Sequence, residues 1–330
     1  MKFEHPISIA PMMDRTDRHF RYLMRLITSR TLLYTEMVTA NAILHGDKPR
    51  HLNFHSSEHP ISLQLGGDSP DAMAEAAQIG EEWGYDEVNI NVGCPSDRVK
   101  NGNFGACLMA QPELVASLVR EMKNRVSIPV TVKHRIGIDE IDSYDHMKRF
   151  VEIVAESGAD RFSVHARKAW LQGLSPKENR EIPPLRYSEV WKLKEELPHL
   201  VVEINGGVRT IEDIQEHLEH VDAVMIGRAA YDNPWLFSDV DSLFYSQETE
   251  KISAPDLIQK MVEYTRVEVE QGERLPAITR HLLHLFHGLP GARVWRRHLS
   301  ENSHLPGQRA ELIQDAFDMM REKAQALVAD

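Results

Sequence analysis

Residues Glu87–Arg98 read EVNINVGCPSDR. Val88, Ile90 and Val92 alternate with Asn89 and Asn91, the period of a strand, and the run breaks at Gly93, Cys94 and Pro95. Seven comparable β-branched or alternating runs share the chain: ISIAP from Ile7, LLYTEM from Leu32, ISLQLGG from Ile61, VTVKHR from Val130, RFSVHA from Arg161, VVEINGG from Val201 and AVMIGR from Ala223. Segments of helical period separate most of them. One is SPDAMAEAAQIGEEW, with Ser69 as N-cap and Pro70 at the first helical position; another is QPELVASLVREMKNR. Eight strand–helix alternations predict an α/β fold, a (β/α)8 TIM barrel. A doubly wound sheet would open with a glycine-rich fingerprint after its first strand, and IAPMMDRTD has none.

After YDNPWLF (Tyr231–Phe237) the alternation stops, and the remaining segments read as helices punctuated by Pro and Gly. The expected division is a catalytic barrel over 1–245 and a small all-helical domain over 246–330. The chain carries a net charge of −12. Between Arg274 and Arg309, however, six arginines (274, 280, 293, 296, 297 and 309) face one carboxylate, Glu301. That segment is +5 and the rest −17, an acidic body with one basic region. Two cysteines, Cys94 and Cys107, make no disulfide framework, and the histidines are not paired at metal-ligand spacing, so no metal is expected. No apolar run approaches the ~18 residues of a membrane span. The opening MKFEHPISIAPMM enters a strand pattern without a signal-peptide core, so a reducing cytoplasm is the expected location. No obligatory protein partner is evident.

In such a barrel the chemistry sits where strands end and βα loops begin. The strand ends carry Pro11 and Met12, Glu36, Gln64, Asn91 with Cys94, Lys133 with Arg135, His165 with Arg167, Asn205–Gly207, and Gly227 with Arg228. Each alone has a plain structural explanation as a loop cap or core residue; together they mark one polar face. Glycines after the seventh and eighth strands let backbone N–H groups approach a phosphate. An apolar APMM loop suits a flat ring, and Lys133 and Gln64 suit that ring's polar edge, a pattern that fits FMN better than a sugar phosphate. Cys94 itself reads two ways, as a small buried hydrophobe or as a reagent at the site's mouth.

The stretches APMMDRTDRHFRYL, TEMV, QLGG, NINVGCPSDRVKNGNFGACLM, VTVKHRIG, VHARKAWLQGLSPKENREIPPL, INGG and GRAAYDNP resemble the tRNA-dihydrouridine synthases. LSPKENREIPPL and GARVWRRHLSEN resemble the A-type subfamily, which acts on D-loop uridines 20 and 20a. The resemblance covers nearly the whole chain. It implies an FMN barrel followed by a helical tRNA-binding domain, with NADPH as the electron source. By the same resemblance, Cys94 protonates C5 of the uracil while a hydride reaches C6. A thiol, with an unperturbed pKa of ~8.5, holds a proton transferable near neutral pH; Cys107, in an apolar stretch, reads as packing. FMN contacts are implied at Pro11, Met12, Met13, Gln64, Lys133, His165, Asn205, Gly206, Gly207, Gly227 and Arg228. Asn91 is implied at the flipped uracil, and Lys177, Arg180, Arg293 and Arg296 at the tRNA. Two residues depart from the pattern: Arg15 stands where an aromatic residue is expected, and His134 replaces a small hydroxyl residue. Strand alternation turns His134 away from Lys133.

Uracil must leave its stack to reach a flavin, and phosphate contacts supply much of the affinity for tRNA. Two other readings share some of these features. An FMN barrel acting on a free pyrimidine, like dihydroorotate dehydrogenase, needs no arginine-rich appendage. A non-catalytic RNA-binding protein has no use for Cys94, Asn91, Lys133 and His165 together.

Overall fold

The computed structural model describes residues 4–96, 102–245 and 250–329. The predicted strands form one parallel sheet: β1 (Ile7–Ile9), β2 (Leu33–Tyr34), β3 (Val38–Thr39), β4 (Ile61–Gly66), β5 (Glu87–Val92), β6 (Val130–Arg135), β7 (Arg161–His165), β8 (Val202–Asn205) and β9 (Ala223–Ile226). The order is β1-β9-β8-β7-β6-β5-β4-β2, with β3 also beside β4; the second predicted run, Leu32–Met37, is a strand only over β2, and β3 lies just beyond it. A parallel bridge between Ser8 and Leu32 joins the ends, with Ile9 N donating to Leu32 O at 2.9 Å. Eight parallel positions close into the expected barrel with helices between them.

Alternation decides which side chains fill it. Val88, Ile90, Val92, Val130, Val132, Phe162, Val164, Val202 and Ile204 are fully buried on the helix-facing side. His134 lies there too, its ring 5.1 Å from Phe150 and 6.0 Å from Phe162, turned from Lys133 as expected. Helices start where the sequence places caps: the Ser69 side chain accepts from Ala72 N ahead of Pro70, and Thr210 with Asp213 forms a capping box. The helix Pro70–Glu82 lies so close to the sheet that a Cβ on Gly80 would come within 2.7 Å of Leu63.

Most inward side chains from β4 to β8 are polar, unlike the branched apolar layers usual in such barrels, while β9 contributes Ala223 and Met225. Strand register sets them in sloping rows: Gln64–Asn89–Thr131–Arg161, then Asn91–Lys133–Ser163–Glu203, then Arg135–His165–Asn205. At the floor Arg161 sits between Glu87 (2.7 Å) and Glu203 (3.6 Å), all nearly inaccessible to solvent. Ser62, Tyr34 and Thr131 hydroxyls donate to Glu87 at 2.8–3.0 Å, and Ser8 and Ser163 donate to Glu203. The carboxylates raise the Arg161 pKa against the opposing cost of burial, so its charge is permanent.

By compactness the chain divides into two units, one of residues 1–16 and 31–227, the other of 17–30 and 228–330. The boundary expected at 245/246 falls against residues 246–249, outside the described residues. The second unit groups the helix Arg18–Ile27 with the C-terminal helices. Asp17 caps that helix, accepting from His19 N and Phe20 N, and also takes hydrogen bonds from Arg280 and His281. Asp241 accepts from Thr28 Oγ1 at 2.6 Å just past its other end. Trp295, fully buried, donates to Leu282 O at 2.8 Å and meets Phe286 edge-on. Among the described residues no helix is long and apolar enough to cross a membrane.

Replacing Arg161 with Met leaves two buried carboxylates without their cation, an expected loss of about 3–5 kcal/mol in urea unfolding. Adding Glu87→Gln and Glu203→Gln to that variant should recover most of the loss, because no uncompensated charge then remains buried.

Candidate active site

The C-terminal ends of the strands bring most of the predicted residues together. Asn91 Nδ2 donates to Gln64 Oε1 at 2.7 Å, and Asn91 Oδ1 accepts from the backbone N–H groups of Gly93 (3.0 Å) and Cys94 (2.9 Å). The Gly-Cys-Pro turn is therefore fastened to the strand that precedes it. Cys94 is half-buried, with Sγ 3.5 Å from Ser96 Oγ, and its carbonyl accepts from Ala106 N. Across the barrel Lys133 Nζ donates to Asn205 Oδ1 at 3.1 Å, while Asn205 Nδ2 donates to Met225 O. Arg135 holds three backbone carbonyls, of Gly93 (2.8 Å), Lys168 (3.1 Å) and Asn179 (3.2 Å), and so ties the Cys94 turn to the long loop after β7.

Among the described residues Lys133 and Arg135 form no ion pair, bonding instead to an amide oxygen and backbone carbonyls. Burial and the neighbouring Arg135 push the Lys133 pKa down to about 8, opposed in part by Glu203. Burial, with Arg180 and Arg167 nearby, brings Arg135 down to about 10. Burial first, then Arg135, Lys133, Arg167 and Arg180, hold His165 well below its ordinary range, so its ring is neutral at neutral pH. A neutral imidazole between two cations can accept or donate one hydrogen bond without adding charge.

Gly206 and Gly207 follow β8 with φ of +118° and +77°. A Cβ on Gly206 would lie 2.7 Å from the His165 ring, and one on Gly207 2.5 Å from Tyr187 Oη. Tyr187 donates to Gly206 O at 2.7 Å and props the turn from outside. A backbone turn without side chains, next to desolvated cations, suits close approach of an anion.

A dihydrouridine synthase family model matches residues 8–321 of this chain. The chain belongs to the dihydrouridine synthase family. It is 60% identical over 317 residues to the tRNA-dihydrouridine(20/20a) synthase of Synechocystis sp., covering 96% of this chain and 95% of that one. Proteins of the same name from Vibrio parahaemolyticus (54% over 312 residues, 94% and 95% covered) and Escherichia coli O6:H1 (52% over 317 residues, 96% of each) are also similar. Among solved structures, a 2-naphthoyl-CoA reductase in complex with 2-naphthoyl-CoA superposes with a TM-score of 0.55 at 9% identity, over 72% of this chain and 50% of that one. That likeness concerns the fold alone.

In this dihydrouridine synthase Pro11 and Met12 are half-buried after β1, and Met13 is 54% exposed. Thr16 fixes the loop: its hydroxyl accepts from Met12 N at 3.0 Å. Arg15, the departure noted above, lies in the same turn, its N donating to Met12 O. Gly227 follows β9, 3.8 Å from Ala10 Cβ when given a Cβ of its own. Lys177 and Arg180 are exposed on the turn that contains Asn179, whose buried side chain bonds Trp170 N and O and Leu174 O. Cys107 is half-buried, its thiol directed to Phe104 O at 3.1 Å. Arg228, Arg293 and Arg296 belong to the helical unit. Arg228 opens the helix Arg228–Asp232. On Ala292–Asn302 the buried face is Ala292, Trp295 and Leu299; Arg293 and Arg297 are exposed and Arg296 is half-buried. Arg280, counted in the basic segment, is committed to Asp17.

Sequence reading passed over Asn89, Thr131 and Tyr187. The first two carried a usable signal, since Asn89 precedes Asn91, and Thr131 precedes Lys133, by one strand period. Tyr187 carried none, because its role depends on the fold of a helix some twenty residues from its partner.

Gly206→Ala should cost at least ~1–3 kcal/mol in denaturant unfolding, from a strained φ and contact with His165. Gly173→Ala is the control: its φ is +82°, but nothing lies within 4 Å of the added Cβ. It should cost clearly less.

Proposed function

We propose that this chain is a tRNA-dihydrouridine synthase that reduces the C5=C6 bond of D-loop uridines at positions 20 and 20a, using FMN and NADPH. The observation that carries the reading is the Gly93–Cys94 turn fastened by Asn91 on the strand beside Lys133. It puts a thiol, an amide and a cation at one barrel mouth. The names of the 52–60% identical relatives supply the tRNA positions.

The residues fit a flavin mononucleotide. Gly206 and Gly207 leave backbone room that a Cβ would fill, and Gly227 with Arg228 completes the proposed phosphate site. Pro11, Met12 and Met13 offer an apolar wall, Gln64 an amide, His165 a neutral ring and Lys133 a positive charge for the ring's polar edge. When bound and reduced, FMN supplies a hydride to C6 of uracil, with NADPH restoring the reduced state. The chain's own residues do the rest. Cys94 Sγ gives its proton to C5, so hydride and proton together convert the double bond to two C–H bonds, and solvent reprotonates the thiolate. Asn91 has its oxygen filled by two backbone N–H groups, so it meets the uracil as a donor to a ring carbonyl. Lys177 and Arg180 near the mouth, and Arg293 and Arg296 on the helical unit, contact tRNA phosphates, consistent with recognition of shape.

The test is Cys94→Ala against Cys107→Ala, scored by mass spectrometry of tRNA and by NADPH oxidation. Cys94→Ala should bind tRNA and accept electrons but form almost no dihydrouridine, a loss on the order of a hundredfold or more. Cys107→Ala should stay near the original rate. Equal loss in both folded variants would remove Cys94 from the proton-donor role.

Lys133 gives a pH signature. It is protonated below its pKa of about 8 and neutral above, so FMN affinity should fall as pH rises through 8. Lys133→Met should bind FMN more weakly and lose that pH dependence, as read by quenching of flavin fluorescence between pH 6.5 and 9.5.

A further inference from the structure

Asn89 lies one strand period below Asn91 and is fully buried in the barrel lumen. We propose that Asn89 is a positioning residue. It is the central link of a hydrogen-bond chain of single polarity, running from the Glu87 carboxylate to the N–H groups of Gly93 and Cys94, and it sets which way the Gln64 and Asn91 amides face. The inference deepens the uridine-reducing reading and rests on it for its catalytic consequence.

Both ends of the chain dictate the same orientation. At the floor, Glu87 is held by the Arg161 guanidinium and only accepts, so Thr131 Oγ1 donates to it at 2.9 Å. Thr131 then accepts from Asn89 Nδ2 at 2.8 Å. Asn89 consequently turns its oxygen to Gln64 Nε2 at 2.9 Å, and Gln64 turns its oxygen to Asn91 Nδ2 at 2.7 Å. At the mouth, the backbone N–H groups of Gly93 and Cys94 only donate, so the oxygen of Asn91 must face them. Reversing any one amide sets donor against donor or acceptor against acceptor. Asn91 therefore keeps a single N–H for the mouth, which selects a carbonyl oxygen on the substrate ring. The amide of Gln64 is fixed in the same way.

The test uses full-length flavin-loaded protein and three variants: Asn89→Ala, Thr131→Val and Thr131→Ser. Val removes the hydroxyl at nearly constant shape, and Ser restores it. Asn89→Ala and Thr131→Val should lower kcat for dihydrouridine roughly ten- to a hundredfold, with KM for tRNA within about twofold because phosphate contacts set it. Thr131→Ser should stay near the original kcat. Independently of activity, hydrogen exchange of the Gly93 and Cys94 amides should run roughly five- to tenfold faster in Thr131→Val than in Thr131→Ser. Equal exchange in those two variants would overturn the chain of polarity, even if Asn89→Ala fails to fold. So would an original kcat in Thr131→Val. A parent protein that forms no dihydrouridine, while the two Thr131 variants show the exchange difference, would instead refute the uridine reading and leave the hydrogen-bond chain standing.

Discussion

A guanidinium buried between two carboxylates is the interaction on which this barrel is organised. Arg161 meets Glu87 and Glu203 from three different strands. Removing such charges from water costs several kcal/mol per ion, and only close geometry with further hydrogen bonds offsets it. Here the offsetting donors are Ser8, Tyr34, Ser62, Thr131 and Ser163, drawn from five strands. The floor therefore holds only when strands around the barrel are in one register. A one-residue slip of β5 would send Glu87 and both asparagines outward against helices and bring Val88 and Ile90 inside.

That constraint propagates upward because the register rows slope. The row that begins at Gln64 near the mouth ends at Arg161 on the floor. A charge at the bottom thus orients neutral amides at the top through Thr131 and Asn89. Apolar layers would fill the same space and give the barrel comparable stability, but an apolar layer has no direction to transmit. A polar lumen is costly unless its members find partners, and along this path each side chain is hydrogen-bonded to the next.

Much of this was legible in the strands. Alternation in EVNINVG and VTVKHR marked the strands, and their polar positions, His134 excepted, are the ones that face the lumen. The strand-end residues Gln64, Asn91, Cys94, Lys133, His165 and Asn205 do lie at one end of the barrel. What stayed hidden depends on distance in the chain. Arg161 reads in sequence as the charged start of a strand, and only its partners 74 residues before and 42 after reveal a buried ion pair. The period of Arg18–Ile27 announces a helix, but not which body it joins. That is decided by Asp17 and Asp241, whose partners lie more than two hundred positions away. Charge counting had the same limit: Arg280 belongs to the basic stretch in sequence, but in the folded unit its charge is spent on Asp17.

The two ends of the barrel treat charge in opposite ways. On the floor, opposite charges cancel at hydrogen-bond distance, and the guanidinium is driven further into its charged form. At the mouth, Lys133 and Arg135 form no ion pair among the described residues, and burial pushes both toward their neutral forms. Their bonding partners are an amide oxygen and backbone carbonyls, which orient a cation without neutralising it. An anion placed there gains the Coulomb attraction of charges whose desolvation the fold has already met, so little reorganisation opposes binding. The stability of the floor is what permits this arrangement. A barrel whose polar lumen were loosely held would relax by admitting water to the cations, and the field at the mouth would be screened away.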